Sequence, residues 1–337
     1  MTTRIGINGF GRIGRAIFKI AATRTDVEIV HINDLTSNAM LAHLLAFDSV
    51  QGPFGQTVKA VEGGIEVGGR FVSISAESDP AKLPWAEKKV DIVAECTGRF
   101  TSRAKAQAHI TAGARKVIIS APGEEVDATV VMGVNHNKVD LAAATIISNA
   151  SCTTNCLAPV AKVLNDSFGI RYGLMNTVHS YTMDQNLLDA PHKKDFRRAR
   201  AAALNMVPTS TGAAKAVGLV LPELAGRLNG LSVRVPTPNV SMVDLVVEFE
   251  KETTVKAINE AFVAAAAGPL QGILDAVDAP LVSGDLNRNP HSSIVDLQLT
   301  MMMGKTCAKV IAWYDNEWAF SNRMLDLAQL FSGAGAP

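Results

Sequence analysis

Ile7-Asn8-Gly9-Phe10-Gly11-Arg12-Ile13-Gly14-Arg15 decides the fold. Its glycines match G-x-G-x-x-G, a pattern that carries little weight by itself. Here residues 4–8 read as a short buried strand, and residues 9–23 open a helix. A second β-branched run at 27–32 follows and leads to Asp34, placed 34 − 14 = 20 residues after Gly14. Strand, glycine turn, helix, strand and acidic residue together specify a dinucleotide-binding unit. Gly9 and Gly11 let the backbone approach a pyrophosphate, and the helix N-terminus offers free N–H groups with a partial positive charge. The Asp34 carboxylate can accept from both ribose hydroxyls of NAD and would repel the 2′-phosphate of NADP. The competing reading is a tight glycine turn with Asp34 as a solvated strand end.

Outward from this unit, strand and helix patterns keep alternating. Residues 90–94, 117–119 and 145–148 read as strands, and 38–46 and 102–112 as helices. Between 58 and 74 the period drops to two, with Gly63-Gly64 and Gly68-Gly69 as turns, which predicts an antiparallel excursion. The pattern predicts an α/β, Rossmann-type doubly wound dinucleotide-binding domain over 1–151. After Cys152 the pattern changes. A helix at 153–168 precedes longer strand-like runs at 173–181, 231–235, 240–250, 294–302 and 308–313, with helical patterns at 211–221 and 255–267. That predicts an α+β catalytic domain with a mostly antiparallel sheet over 152–317. A terminal amphipathic helix within 318–337 completes the first domain. Residues 182–210 lack hairpin signals and carry Lys193, Lys194, Arg197, Arg198 and Arg200. A loop this long in a compact domain is functional or interfacial.

Composition bounds the partners. With 337 residues, two domains are expected. The 32 basic and 32 acidic residues cancel, so nothing predicts bulk attraction to nucleic acid or to an acidic membrane surface. No apolar stretch is long enough for a membrane span or a signal-peptide core, which makes the cytoplasm the expected location. The four cysteines, Cys96, Cys152, Cys156 and Cys307, are too few for a secreted disulfide framework in a chain this long. No His or Cys cluster has zinc-site spacing, and no metal is expected.

Cys152 stands apart from the other three. Ser148-Asn149-Ala150-Ser151-Cys152-Thr153-Thr154-Asn155-Cys156 lies where a strand gives way to a helix. A thiol in a first helical turn has its thiolate stabilised by the free N–H groups there. Cys156, one turn deeper, is expected to pack. A nucleophilic cysteine needs a base, and His179, at the end of the strand pattern beside the irregular loop, is the best candidate. A Cys–His ion pair would raise the thiolate fraction at neutral pH. A lone Cys and a lone His are also compatible with purely structural roles.

SNASCTTNCLAP at 148–159 resembles the active-site signature of type I phosphorylating glyceraldehyde-3-phosphate dehydrogenases. INGFGRIGR near the start, STGAAKAVG at 210–218, RVPTPNVS at 234–241 and WYDNEW at 313–318 agree with it, so the resemblance spans nearly the whole chain. It implies that the Cys152 thiolate attacks the aldehyde carbon of glyceraldehyde 3-phosphate. His179 would take the hydroxyl proton as hydride leaves for NAD, and inorganic phosphate would release 1,3-bisphosphoglycerate from the resulting thioester. Backbone N–H groups around Cys152 could stabilise the oxyanion. The resemblance implies two anion pockets: one from Thr182, Arg198 and Arg234, the other from Ser151, Thr153, Thr211, Gly212 and again Arg234. It implies cofactor contacts from Arg12, Ile13, Asp34, Ser78, Thr97, Ser120 and Asn316, with Asn316 on the nicotinamide carboxamide. Close relatives often have Arg at the position of Ser78, which leaves only a backbone contact there. It also implies a homotetramer, in which the long basic loop packs on a neighbouring subunit.

Two features qualify the resemblance. After Asp189, NAD-specific relatives usually read Leu-Pro or Gly-Pro and NADP-using chloroplast forms Ala-Ser; Ala190-Pro191 is a hybrid, so some NADP use stays open. Erythrose-4-phosphate dehydrogenase is the nearest enzyme alternative, but it usually lacks the TGAAKAV run that is intact here. A non-catalytic RNA-binding role for the basic loop, or a redox-sensing role for the thiol, are the readings from other classes.

Overall fold

The computed structural model describes residues 2–334. Met1 and the last three residues of the helix expected at 318–337 lie outside the described residues. The chain divides into two compact units. Of the described residues, one holds those up to Val130, Asn137–Ala150 and those from Ser321 on; the other holds Val131–His136 and Ser151–Phe320.

The first unit is a parallel sheet extended by an antiparallel edge. In chain order it contains β1 (Thr3–Asn8), α1 (Arg12–Ala21), β2 (Val27–Asn33), α2 (Asn38–Ala46), β3 (Val58–Val61), β4 (Gly64–Val67), β5 (Arg70–Ser75), β6 (Ile92–Glu95), α3 (Arg103–Thr111), β7 (Lys116–Ile119), β8 (Ala128–Thr129) and β9 (Ile146–Ser148). The sheet order is β3-β4-β5-β2-β1-β6-β7-β9-β8. Pairs β1·β2, β1·β6, β6·β7 and β7·β9 are parallel, whereas β3, β4 and β5 form the antiparallel excursion. The doubly wound class is therefore present as expected. β1, β6 and β7 are buried almost throughout, as strands of a parallel sheet covered on both faces are. Trp85, Val93, Val117, Ile119 and Ile146 form one core cluster, each contributing about 1.5–3 kcal/mol through burial.

The second unit contains α4 (Cys152–Phe168), β10 (Ile170–Ser180), β11 (Val207–Ser210), α5 (Ala213–Val220), β12 (Leu228–Val235), β13 (Ser241–Phe249), α6 (Val255–Ala267), β14 (Leu274–Val277), β15 (Ser293–Asp296), β16 (Met301–Met303) and β17 (Cys307–Tyr314). Its sheet runs β11-β12-β10-β13-β17-β15-β14, with β16 beside β17. Most pairs are antiparallel, but β10·β12 and β14·β15 are parallel. α4 packs on β10, β13, β15 and β17 through Leu157, Val160, Ala161 and Leu164, all fully buried.

Two elements differ from the sequence reading. The run at 294–302 is two strands, because a 3-10 turn at Leu297–Leu299 interrupts it. The irregular stretch ending at 210 closes in a real strand, β11, whose Pro208 is tolerated because the strand lies at the sheet edge. The final helix, α7 (Trp318–Gly333), ends on a buried lysine. Lys116 Nζ donates to the carbonyls of Leu141, Phe331 and Ala334 at 2.6, 3.0 and 2.9 Å. A cation there satisfies carbonyls that the helix end leaves unpaired.

Candidate active site

The thiol sits on a built corner. Ser148, the last residue of β9, donates its hydroxyl to Ala121 O at 2.7 Å and accepts from the N–H groups of Gly123 and Ala150. Ala150 holds a left-handed φ of 58°, a conformation costing a non-glycine residue about 1–3 kcal/mol. Ser151 then caps α4, its hydroxyl accepting from Thr154 N at 3.0 Å. Cys152 is thereby the first helical residue, partly buried, while Cys156 is fully buried as expected.

Strand register brings the candidate base to the thiol. His179 stands near the end of β10, and its parallel neighbour on β12 is Arg234. Residues paired this way project from the same face. His179 Nε2 lies 3.6 Å from Cys152 Sγ, and Nδ1 lies 2.7 Å from the Ser180 carbonyl oxygen. Arg234 Nη1 is 2.7 Å from that same Nδ1 and donates to Ser180 O at 3.2 Å. A guanidinium only donates, so the Arg234 and Ser180 contacts of Nδ1 are alternatives: with the proton on Nδ1, given to Ser180 O, the Nε2 lone pair faces the sulfur.

The charges lean away from the ion pair expected from sequence. Burial pushes the Cys152 thiol above its ordinary range, with the Arg234 charge opposing. Burial, joined by Arg234, pushes His179 down to about 3. Both effects favour the neutral thiol and imidazole, because two buried charges would replace none. Cys96, by contrast, is pushed up to about 12 by burial and by the Glu95 carboxylate, which suits an inert thiol.

Around this pair lies a hydroxyl lattice that the sequence did not reveal. Tyr314 OH joins Thr153 Oγ1 at 2.8 Å and Thr177 Oγ1 at 2.9 Å, and its ring meets the His179 imidazole edge-on at 5.9 Å. Ser241 Oγ accepts from Ser180 N and donates to Asn316 Oδ1. Tyr314 and Ser241 both lie inside recognised motifs. Their partners are more than 60 residues away, so only the folded chain shows the contacts.

The other candidate anion ligands are placed individually. Arg198 Nε donates to Thr209 Oγ1 at 2.8 Å, Nη2 reaches Ser210 O, and Nη1 pairs with Asp184. Its rivals are placed differently: Arg200 pairs with Asp189 on an exposed face, and Arg197 joins through its backbone N–H, which donates to Asp195, itself paired with Arg198. Arg198 and Asp184 are near enough to act on the Arg234 charge in opposite directions. Thr182 N donates to Gln185 Oε1. Thr211 Oγ1 accepts from Ala213 N at 3.2 Å, and Gly212, the N-cap of α5, has no side chain to satisfy the first N–H groups there.

In the first unit a cavity of about 290 Å³ is lined by Gly9, Gly11, Asp34, Ser78 and Thr97 among others; Arg12, Ile13 and Ser120 are not in its wall. The glycines do different jobs. A Cβ on Gly14 would lie 2.2 Å from Gly9 O, and Gly9 has a φ of +94°. At Gly11 a Cβ would meet nothing within 4 Å, and this residue caps α1 without a side-chain hydrogen bond. That is the open, donor-rich cradle a pyrophosphate needs. Asp34 Oδ2 accepts from Phe10 N at 2.8 Å, which ties the acidic residue to the glycine turn. Arg12 gives its guanidinium to the carboxylate of Asp48 at 2.8 Å. Thr97 donates to Glu95 and accepts from Arg99 N. Ser120 lies beside the Cys96 thiol and opposes the effect of burial on it. Asn316 belongs to the second unit. Among the described residues no cluster could hold a metal ion, and no helix is long and apolar enough to cross a membrane.

Comparison with known proteins agrees on one family. Residues 3–103 match the profile for the glyceraldehyde 3-phosphate dehydrogenase NAD binding domain, and residues 151–316 match that for its C-terminal domain. The chain is 59% identical to a glyceraldehyde-3-phosphate dehydrogenase of Priestia megaterium over 335 residues, covering 99% of this chain and all of that protein. It is 58% identical to glyceraldehyde-3-phosphate dehydrogenase 1 of Bacillus subtilis with the same coverage. Against the Mycolicibacterium smegmatis enzyme of that name identity is 57%, with 98% of each chain covered.

Proposed function

The chain belongs to the glyceraldehyde 3-phosphate dehydrogenase family, and we propose that it oxidises D-glyceraldehyde 3-phosphate to 1,3-bisphosphoglycerate with NAD and inorganic phosphate. The observation that carries this reading is the triad of neighbours at one corner: Cys152 Sγ, His179 Nε2 at 3.6 Å, and Arg234 on the far side of the imidazole. Identity near 60% across the whole chain favours this reading over erythrose-4-phosphate oxidation and over a purely binding or redox-sensing role.

His179 Nε2 accepts the thiol proton as Cys152 Sγ adds to the aldehyde carbon, giving a thiohemiacetal. The oxyanion forms beside the N-terminal N–H groups of α4. His179 returns a proton to that oxygen and removes it again as hydride departs, leaving a thioester on Cys152. NAD, when bound, supplies the hydride acceptor. Gly9, Gly11, Arg12, Ile13, Asp34, Ser78, Thr97 and Ser120 would contact the dinucleotide, and Asn316 would take its carboxamide. Arg12 contributes through its place in the first turn of α1, because its guanidinium is committed to Asp48. Phosphate then attacks the thioester carbonyl, and the thiolate leaves. Arg234, Arg198 and Thr182 hold one anion, and Ser151, Thr153, Thr211, Gly212 and Arg234 the other. An anion on Arg234 also offsets the positive charge that disfavours an imidazolium at His179.

The assembly is a homotetramer in the cytoplasm. Segment 182–210 supports this: Leu187, Leu188, Phe196 and Leu204 are all more than 70% exposed, apolar side chains that a subunit contact would cover. Sedimentation velocity giving four chains per particle supports it, and a monomer refutes it. The activity is tested by following NADH with glyceraldehyde 3-phosphate. Turnover is expected only with phosphate or arsenate present, and equal rates without either anion refute the phosphorylating reaction.

A further inference from the structure

Ser241 begins β13 and is 1% exposed. Its oxygen accepts from the Ser180 backbone N–H at 3.1 Å. A peptide N–H can only donate, so the Ser241 hydroxyl proton must find another acceptor. Asn316 Oδ1, 2.9 Å away, takes it. With the amide turned round, Nδ2 would face an oxygen that already accepts a hydrogen bond, and the buried hydroxyl proton would lose its acceptor. A buried donor left unsatisfied costs more than the hydrogen bond itself contributes. Asn316 is therefore held with Oδ1 turned inward and Nδ2 turned outward. Among the described residues no side chain or carbonyl accepts from Nδ2, and this nitrogen is not one of the sealed, unpartnered atoms of the interior.

We propose that Ser241 is a positioning residue that presents Asn316 as a hydrogen-bond donor, through Nδ2, to the carbonyl oxygen of the nicotinamide carboxamide. The inference rests on the cofactor reading above. The same hydroxyl also fixes the Ser180 peptide, whose carbonyl oxygen accepts from His179 Nδ1. One buried serine thus anchors both the candidate base and the group that receives the nicotinamide.

Calorimetric titration of the full-length chain with NAD and with ADP-ribose, which lacks the nicotinamide, separates positioning from general damage. Ser241→Ala is expected to weaken NAD about fivefold to tenfold, the worth of one oriented hydrogen bond, and to leave ADP-ribose unchanged. Asn316→Ala should lose as much, and adding Ser241→Ala to it should lose nothing more. Ser241→Thr, which keeps the hydroxyl, should retain the wild-type ratio. Equal weakening of both ligands by Ser241→Ala, no weakening of either, or a loss that adds in full to that of Asn316→Ala overturns the proposal. A wild-type chain that binds neither ligand overturns the cofactor reading and this proposal with it. A second test needs no variant to fold. The deamido dinucleotide, with a carboxylate in place of the carboxamide, should bind the wild-type chain within about tenfold of NAD, because Nδ2 can donate to either group. A loss on the order of a hundredfold means that Oδ1 faces the ligand, and overturns the proposal.

Discussion

Cys152 and Cys156 are four positions apart and have different fates because of where each lies in one helix. Cys152 is the first residue of α4, partly buried, with the His179 imidazole 3.6 Å away. Cys156 is sealed one turn further in, its thiol directed at the carbonyls of Ala312 and Trp313. The base is the sharper test of the pair. His179→Asn is expected to lower kcat about 10²- to 10⁴-fold, the usual span for a lost general base. It should leave NAD affinity unchanged and slow the alkylation of Cys152 by iodoacetamide, because the neutral imidazole no longer takes the thiol proton. Alkylation at the wild-type rate and pH would remove His179 from the mechanism. At this scale the sequence was legible wherever a motif carried its own context, as with Cys152, Asp34 and the glycines. Tyr314, Ser241 and Asp48 were not legible as partners, because each earns its role from residues far away in the chain.

Asp48 follows α2 and ties that element to the first turn of α1. Burial alone would raise its pKa. The N–H groups of Gln51 and Val50 and the Arg12 guanidinium outweigh burial and hold the carboxyl down at about 2. A carboxylate whose folded-state pKa is depressed stabilises the fold above its unfolded value, and that stability disappears as pH falls through the folded value. From an unfolded value near 3.8 to a folded value of about 2, the contribution is about 2 kcal/mol at neutral pH. Asp48→Asn is therefore expected to be destabilised by about that amount at pH 7, with the difference from wild type shrinking between about pH 4 and pH 2. Thermal unfolding across that range checks it, and a pH-independent difference contradicts it. Elements themselves were legible where period or glycine punctuation was strong, as in α1 and the β3–β5 excursion. β11 was hidden because Val207-Pro208-Thr209-Ser210 has the composition of a loop, and it is a strand only because Leu231–Arg234 supply its ladder. The break between β15 and β16 was hidden because Leu297-Gln298-Leu299 continues an apolar pattern through a 3-10 turn.

For the whole molecule, the change from parallel to antiparallel organisation at Cys152 marks a division of labour. The first unit builds an open glycine cradle with an acidic strand end. The second builds a thiol, an imidazole and a guanidinium from three neighbouring elements, α4, β10 and β12. Sequence alternation foretold the architecture of each unit, but not the β10·β12 register that sets His179 against Arg234. The central claim is that Cys152 carries an acyl thioester that waits for phosphate. Rapid mixing of the chain with NAD and glyceraldehyde 3-phosphate in phosphate-free buffer, followed by acid quench and intact-mass analysis, tests it most directly. The account predicts a burst of one NADH per chain and a matching acyl adduct on Cys152 that phosphate discharges. Continued turnover without phosphate, or a burst with no adduct on Cys152, would contradict it.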